Sequence, residues 1–295
     1  MSRGREGAIA LTGVAGLVRL FDGYIVDQWG VLHNGLRPYP GALECLERLH
    51  EAGKHVVVLS NSGRRETANV RFMEEMGFPG RLFERMVSAG ENAREAIVAR
   101  STPFHARLGR RCFAFTRAGD RSILEGIGLE FAATVGDADF LATIGIDSPR
   151  RSPADYEPEL RAGCSRRLPM ICANPDISRF HCGRLVDAPG VLARRYEELG
   201  GEVFFHGKPH PAIYGACLAA LDNCAPGRVI AVGDSVEHDI LGATRAGLPS
   251  AFIVGGIHAQ ELGVAPGGEP DARAWRDFER NAVARPDYRL PAFVW

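Results

Sequence analysis

Short β-branched runs alternate along this chain with longer stretches whose apolar residues fall at helical spacing. Tyr24 to Asp27 is an apolar run that ends in a carboxylate, with Gly30 following. Pro40 to Ala52 places Leu43, Leu46, Leu49 and His50 on one stripe, which predicts a helix stopped by Gly53. His55 to Leu59 is apolar at every position but the first, the pattern of a strand covered on both faces. Ser60-Asn61-Ser62-Gly63 reads as a turn, and a helix follows to Met76-Gly77. The same grammar returns later: strand Glu202 to Phe205, helix Pro211 to Leu221, strand Arg228 to Val232, helix Glu237 to Ala246 and strand Ser250 to Val254. Between these halves lie strands at Cys112–Thr116, Phe140–Ile144 and Pro169–Ala173, with helices near Asp155–Ala162 and Val191–Leu199.

Strand–helix alternation of this kind predicts an α/β protein with a doubly wound, Rossmann-like parallel sheet. The order further predicts a discontinuous core, residues 1–85 with 203–295, interrupted by a second α/β unit over 86–202. A length of 295 residues agrees, since single cores stop growing near that size. The stretch from Met1 to Val18 carries early arginines and a mildly apolar run, but Gly13 and Gly16 interrupt it; we read it as a folded lead-in helix. The C-terminal stretch from Gly263 to Trp295 is expected to pack on the core.

Composition narrows the function. Lys+Arg is 35 and Asp+Glu is 36, so the formal charge is −1 and no general attraction to nucleic acid or an anionic membrane is expected. No apolar run is long enough to span a bilayer. The seven cysteines include no C-x-x-C pair, which suggests free thiols in a reducing, cytoplasmic setting. Only two of the basic residues are lysines, Lys54 and Lys208. A lysine kept in an arginine-rich chain points to a place that needs a compact charge on a flexible stem.

Parallel sheets bind ligands beyond the carboxyl ends of their strands. Four predicted strands end there in polar groups: Asp27, Ser60 with Asn61, Lys208 and Asp234. Asp239 lies five residues past Asp234, in the first turn of the next helix. Several carboxylates form a hard oxygen site suited to Mg²⁺, an ion that pairs with phosphate. Ser60 and the amides of the following turn can donate to phosphate oxygens, and Lys208 adds a mobile positive charge. Singly, each of these residues is more often a cap, a turn or a surface charge; their order and joint presence carry the reading. Rival motifs fail. Pro209 replaces the Ser/Thr of a P-loop, no G-x-G-x-x-G follows the first strand, and no G-x-S-x-G elbow occurs.

At Asp27-Gln28-Trp29-Gly30-Val31-Leu32, Leu59-Ser60-Asn61-Ser62, Gly207-Lys208-Pro209 and Gly233-Asp234-Ser235 through Asp239, the chain resembles the haloacid dehalogenase (HAD) superfamily. The inserted unit, with Asn174-Pro175-Asp176, is similar to the α/β cap of its subclass IIA, the NagD-like and 4-nitrophenylphosphatase-like enzymes. The resemblance implies a phosphohydrolase of a small metabolite, of the sugar-phosphate or nucleotide class. It implies that Asp27 is a nucleophile forming an aspartyl-phosphate. The Asp27 and Asp234 carboxylates and the Trp29 carbonyl would hold Mg²⁺, with Asp239 ligating the ion or orienting its waters. Ser60 and the Asn61 amide would grip the phosphoryl group, and Lys208 would neutralise charge. In the cap, Asn174 and Asp176 are candidate substrate contacts, as is Arg64 after the phosphate turn. The plainer readings are an Asx–Pro turn for Asn174 and Asp176, and background arginine composition for Arg64. The resemblance leaves room for a homodimer, although no interface is readable.

One position departs from the family. Its phosphatases carry a second Asp two residues after the nucleophile, where this chain has Trp29. A positioned general acid is worth about 10²–10⁴-fold. Three readings stay open: a leaving group needing little protonation, such as an aryl or acyl phosphate; another proton donor, with His33 the nearest candidate (although a turn histidine bonded to backbone is the plainer reading of it) and His206 and His210 flanking Lys208; or a phosphometabolite-binding protein of weak activity. A metal-independent, dehalogenase-like hydrolase is the rival from another class, disfavoured by the acidic pair Asp234 and Asp239.

Overall fold

The computed structural model describes residues 7–181, 184–265 and 267–295. Cys182 therefore lies outside the described residues, as does the start of the lead-in segment. In chain order the strands are β1 (Ile9–Ala10), β2 (Gly23–Asp27), β3 (His55–Ser60), β4 (Arg85–Ser88), β5 (Arg111–Phe115), β6 (Glu130–Phe131) and β7 (Phe140–Thr143). They continue with β8 (Met170–Cys172), β9 (Ser178–His181), β10 (Arg184–Asp187), β11 (Val203–Phe205), β12 (Val229–Gly233), β13 (Ser250–Ile253) and β14 (Tyr288–Leu290). The chain divides into two compact units: Met1–Ser60 with Val70–Val87 and Lys208–Trp295, and Asn61–Asn69 with Ser88–Gly207.

The first unit is built on a seven-stranded sheet of order β1-β14-β13-β12-β2-β3-β4. The pairs from β1 through β3 in that order are all parallel. Every residue of β2 and β12 is buried. Tyr24, Val26, Val58 and Val232 pack into one apolar cluster, while Phe252 and Val254 pack into another with Val236, Ile240 and Trp275. Helices therefore cover both faces, and the strands read as unbroken apolar runs instead of alternating ones. The order reverses about β2, so the mouth beside its carboxyl end is the switch point where such sheets bind ligands.

Two expectations at the ends of the chain are corrected or extended here. From residue 7 on, the lead-in is not the expected helix: β1 pairs with β14, and a short 3₁₀ turn spans Val14–Leu17. Gly13 holds extended backbone (φ −172°), which ends any helical path before that turn. The C-terminal segment contributes Leu290 and Phe293 to the core, between β1 and β13 through β14. It also supplies the helix Ala272–Asn281, whose N-cap Asp271 accepts from the Arg273 and Ala274 amides.

The second unit holds a five-stranded sheet of order β11-β8-β7-β5-β6, parallel at every pairing, and an antiparallel β9–β10 hairpin. Phe115, Leu141, Met170 and Cys172 line one face, and Cys112, Phe140, Ala142 and Ile171 line the other. Ser88 opens its helix Ala89–Ala99 by accepting from the Glu91 amide.

His105 and His206 of this unit are buried, with Nε2 atoms 3.1 Å apart. His206 Nδ1 meets Asn92 Oδ1 at 2.8 Å and His105 Nδ1 meets Thr102 Oγ1 at 2.7 Å. One consistent direction runs along the chain: the Thr102 hydroxyl donates to His105, His105 Nε2–H to His206, and His206 Nδ1–H to Asn92. It requires both rings neutral. Burial, with the Arg100 charge, holds the His105 pKa below its ordinary value. The unfolded chain then binds more protons once the pH drops below about 6.5. Stability from this group is full above that pH and is lost as the pH falls toward the lowered folded value. Thermal unfolding of wild type at pH 7.5 and pH 5.5 should show a fall that His105→Gln reduces.

Candidate active site

The carboxyl ends of β2 and β12 bring three acidic side chains together. Oxygens of Asp27, Asp234 and Asp239 all lie within 4.8 Å of one another, and all three residues are buried. Asp27 closes β2, and Asp234 is the residue after β12. Asp239 reaches back because the chain widens there into a π-type turn, Val236–Ile240. Both Asp239 and Ile240 amides donate to Ser235 O, and Asp239 Oδ2 accepts from the Ser235 amide at 3.1 Å. Such single π turns inside helices frequently accompany functional sites.

Lys208 joins the cluster. Its Nζ donates to Asp27 Oδ1 at 2.5 Å and to Asp239 Oδ1 at 2.7 Å, with 4% of the side chain exposed. Burial alone would discharge the ammonium; the Asp239 and Asp27 carboxylates outweigh it and push the pKa above the usual lysine range. Burial raises the Asp27 pKa well above the carboxylate range, and the Asp239 charge adds to it, against the pull of Lys208. Asp234 is pushed up to about 7 by burial and then by Asp239, while the Ile257 amide that donates to its Oδ2 at 2.7 Å pulls the other way.

One ammonium thus faces three carboxylates, and the cluster is short of positive charge. A hard divalent cation fits that deficit and this donor set, since Mg²⁺ favours a few carboxylates with the rest of its shell left to water. The backbone between Asp27 and Leu32 is shaped for the same place. Gly30 has φ +83°, and a Cβ there would stand 1.9 Å from Asp234 Oδ2. Only glycine lets the chain pass so close to that carboxylate. Gly30→Ala is therefore expected to displace Asp234 and to remove most of any Mg²⁺-dependent rise in unfolding temperature. Thermal scans with and without the ion check this.

The other candidates fall as follows. Ser60 ends β3 and is buried in the first unit. Asn61 begins the second unit, where its side-chain Nδ2 donates to Asp176 Oδ1 at 2.7 Å. The Asp176 amide in turn donates to Asn174 Oδ1 at 3.1 Å, the local Asx turn that an Asn–Pro–Asp sequence favours. The Arg64 side chain is exposed, and its carbonyl accepts from Ser88 Oγ. His33 is fully buried, its Nδ1 accepts from the Gly35 amide at 3.0 Å, and burial drops its pKa to about 4. An imidazole so held is uncharged at neutral pH, with Nδ1 committed to its own turn and the proton-bearing Nε2 buried without a hydrogen-bond partner among the described residues. Two supporting residues gave no sign in the sequence: Tyr214, whose hydroxyl donates to the Asp239 carbonyl at 3.1 Å, and Ile257, whose amide holds Asp234.

No helix among the described residues is long and apolar enough to cross a membrane. Six cysteines among the described residues are free thiols, and burial raises the pKa of the Cys45, Cys112, Cys172 and Cys217 groups, which marks these four as packing residues.

Comparison with known proteins agrees with the fold. A haloacid dehalogenase-like hydrolase family model matches residues 24–130, and a second, HAD-hydrolase-like model matches residues 205–278. A haloacid dehalogenase-like hydrolase of Brucella suis 1330 superposes with a TM-score of 0.80 at 31% identity, covering 96% of this chain and all of that one (100%). Human chronophin is 29% identical over 252 residues, 81% of this chain and 83% of its own. The ribonucleotide monophosphatase NagD of Escherichia coli K12 is 26% identical over 242 residues, 79% and 87% of the two chains. The parallel-sheet core and these matches together make the chain a member of the haloacid dehalogenase-like hydrolases, in the NagD-like subclass IIA.

Proposed function

We propose that this chain is a Mg²⁺-dependent phosphatase of small phosphorylated metabolites that works through a phosphoaspartate at Asp27. The observation that carries the reading is the buried Lys208 ammonium clasped between Asp27 and Asp239, with Asp234 beside them. Such a cluster suits a transferring phosphoryl group, whose chemistry asks mainly for positioning and for charge to be neutralised. The activity named for the Escherichia coli relative, a ribonucleotide monophosphatase, supports phosphoric monoesters as the substrate class.

In this reading Asp27 attacks phosphorus and the bond to the leaving oxygen breaks, that oxygen keeping the electron pair. Water then attacks the phosphoaspartate, the phosphorus–carboxylate bond breaks, and phosphate departs with the carboxylate restored. Splitting the displacement in two lowers each barrier. Lys208 holds the attacking carboxylate in place and offsets phosphoryl charge. The Ser60 hydroxyl and the peptide N–H that follows it are assigned to the phosphoryl oxygens. A divalent ion held by the Asp27 and Asp234 carboxylates and the Trp29 carbonyl, with Asp239 as ligand or water-orienting group, would supply further charge neutralisation.

Phosphate release from a panel of phosphate esters tests the proposal. Release is expected with Mg²⁺, lost with EDTA and restored by added Mg²⁺. Halide release from a haloacid without metal would replace it with the dehalogenase-like alternative. Metal-dependent binding of a phosphate ester without turnover would leave a binding protein.

A further inference from the structure

Trp29 stands two residues beyond Asp27, and its neighbour Gly30 lies against the Asp234 carboxylate. Its backbone is therefore at the carboxylate cluster, yet 45% of the residue is exposed. Exposed tryptophan is usually mobile; this one is pinned. Gly35, at φ +88°, lets the six-membered ring lie on its backbone, since a Cβ there would come within 2.2 Å of Trp29 Cζ3. Phe72 lies nearly parallel to the indole (15°, centroids 6.0 Å apart), and the His33 ring meets it edge-on at 4.8 Å. His33 also meets Phe72 edge-on at 5.4 Å, so the three rings brace one another. The first unit thus holds in place the indole of a residue whose backbone borders the carboxylate cluster, while nearly half of that residue stays open to solvent.

The same geometry withholds a proton donor at these positions. Indole does not give up its N–H as an acid, and the His33 proton, on Nε2 because Nδ1 accepts from the Gly35 amide, is buried away from solvent. A leaving oxygen that finds no acid at these positions departs as an anion. A phenol ionises near pH ~10, against ~15.7 for water, so a phenolate can leave unprotonated where an alkoxide cannot.

We infer that Trp29 is a specificity-determining residue and that the preferred substrates are aryl phosphate monoesters, whose ring stacks on the Trp29 face while the phenolate leaves. The inference rests on the phosphatase reading above and narrows its substrate class. In the step concerned, Asp27 forms the bond to phosphorus, the phosphorus–phenol oxygen bond breaks, and the phenolate carries off the pair. Its proton comes later from solvent.

The test uses phenyl phosphates of graded leaving-group acidity together with glycerol phosphate, all with Mg²⁺. Wild type should show kcat/KM rising steeply with the acidity of the phenol. Phenyl phosphate should exceed glycerol phosphate by ~100-fold or more, the scale of a missing general acid. Trp29→Ala should lower that ratio at least tenfold, and Trp29→Phe, which keeps an aromatic face, should retain most of it. Equal rates on aryl and alkyl esters overturn the inference while leaving the phosphatase reading intact. So does a Trp29→Ala variant that loses both activities in proportion. Release from no ester overturns both readings. If Trp29→Ala fails to fold, the wild-type slope and the Trp29→Phe ratio still decide.

Discussion

Asp27→Asn should cut metal-dependent phosphate release by at least ~10³-fold, toward the ~10⁶ that follows loss of a covalent nucleophile. The substitution keeps the size of the side chain and its place at the end of β2, so the loss would be chemical. An amide oxygen lacks the charge to attack phosphorus and is a poorer partner for a divalent ion. The same variant should move stability the other way. Asp27 is one of three buried carboxylates, and burial together with the Asp239 charge already raises its pKa. Neutralising it relieves that repulsion without metal, so the metal-free protein should unfold at the same or a higher temperature. The rise on adding Mg²⁺ should shrink or vanish. Steady-state assays and paired thermal scans read the two effects. Unchanged turnover in Asp27→Asn would remove the nucleophile assignment, however the stability moved.

Much of this site was legible because its strands are. β2 and β3 are buried on both faces, so their runs are apolar to the end, and the first polar residue marks the mouth of the sheet. The pattern therefore placed Asp27, Ser60 and Asp234 before any coordinates. It did not place what depends on distant partners. β1 reads as the start of a helix, but its two residues pair with Tyr288 and Arg289, far along the chain. The β9–β10 hairpin and β14 are short segments fixed by pairing more than by their own periodicity. The helix expected over Glu237–Ala246 is real only from Leu241 to Arg245; before it, the demand that Asp239 face back toward Lys208 and the Ser235 amide opens the turn to π geometry. His33 carries the clearest lesson. Its sequence position allows a catalytic role, while burial, the bond it accepts from the Gly35 amide and two aromatic neighbours fix the ring in place, with Nε2 buried and without a hydrogen-bond partner among the described residues. Sequence shows which groups can do chemistry; burial decides which of them are spent on packing.

Lys208→Met should be the most destabilising single change at the site. Methionine copies the length of the stem and fills its channel, so the missing element is the ammonium. Removing one partner of a buried ion pair costs about 3–5 kcal/mol, because the charge left behind is desolvated and uncompensated. Here two carboxylates lose their contact at once, Asp27 at 2.5 Å and Asp239 at 2.7 Å, with Asp234 close by. Three features separate this from ordinary core damage. The deficit should shrink as the pH is lowered, because the orphaned carboxylates take up protons more readily in the folded than in the unfolded state. It should also shrink on adding Mg²⁺, and by more than wild type gains, because the ion replaces the lost positive charge. Finally, combining Lys208→Met with Asp27→Asn should cost less than Lys208→Met alone, since one of the stranded charges is gone. Denaturant titrations of the two single variants and the double, with and without Mg²⁺, supply all three comparisons. A deficit that ignores both pH and metal would mean that Lys208 serves only as a packed stem, and the electrostatic account of the cluster would fail with it.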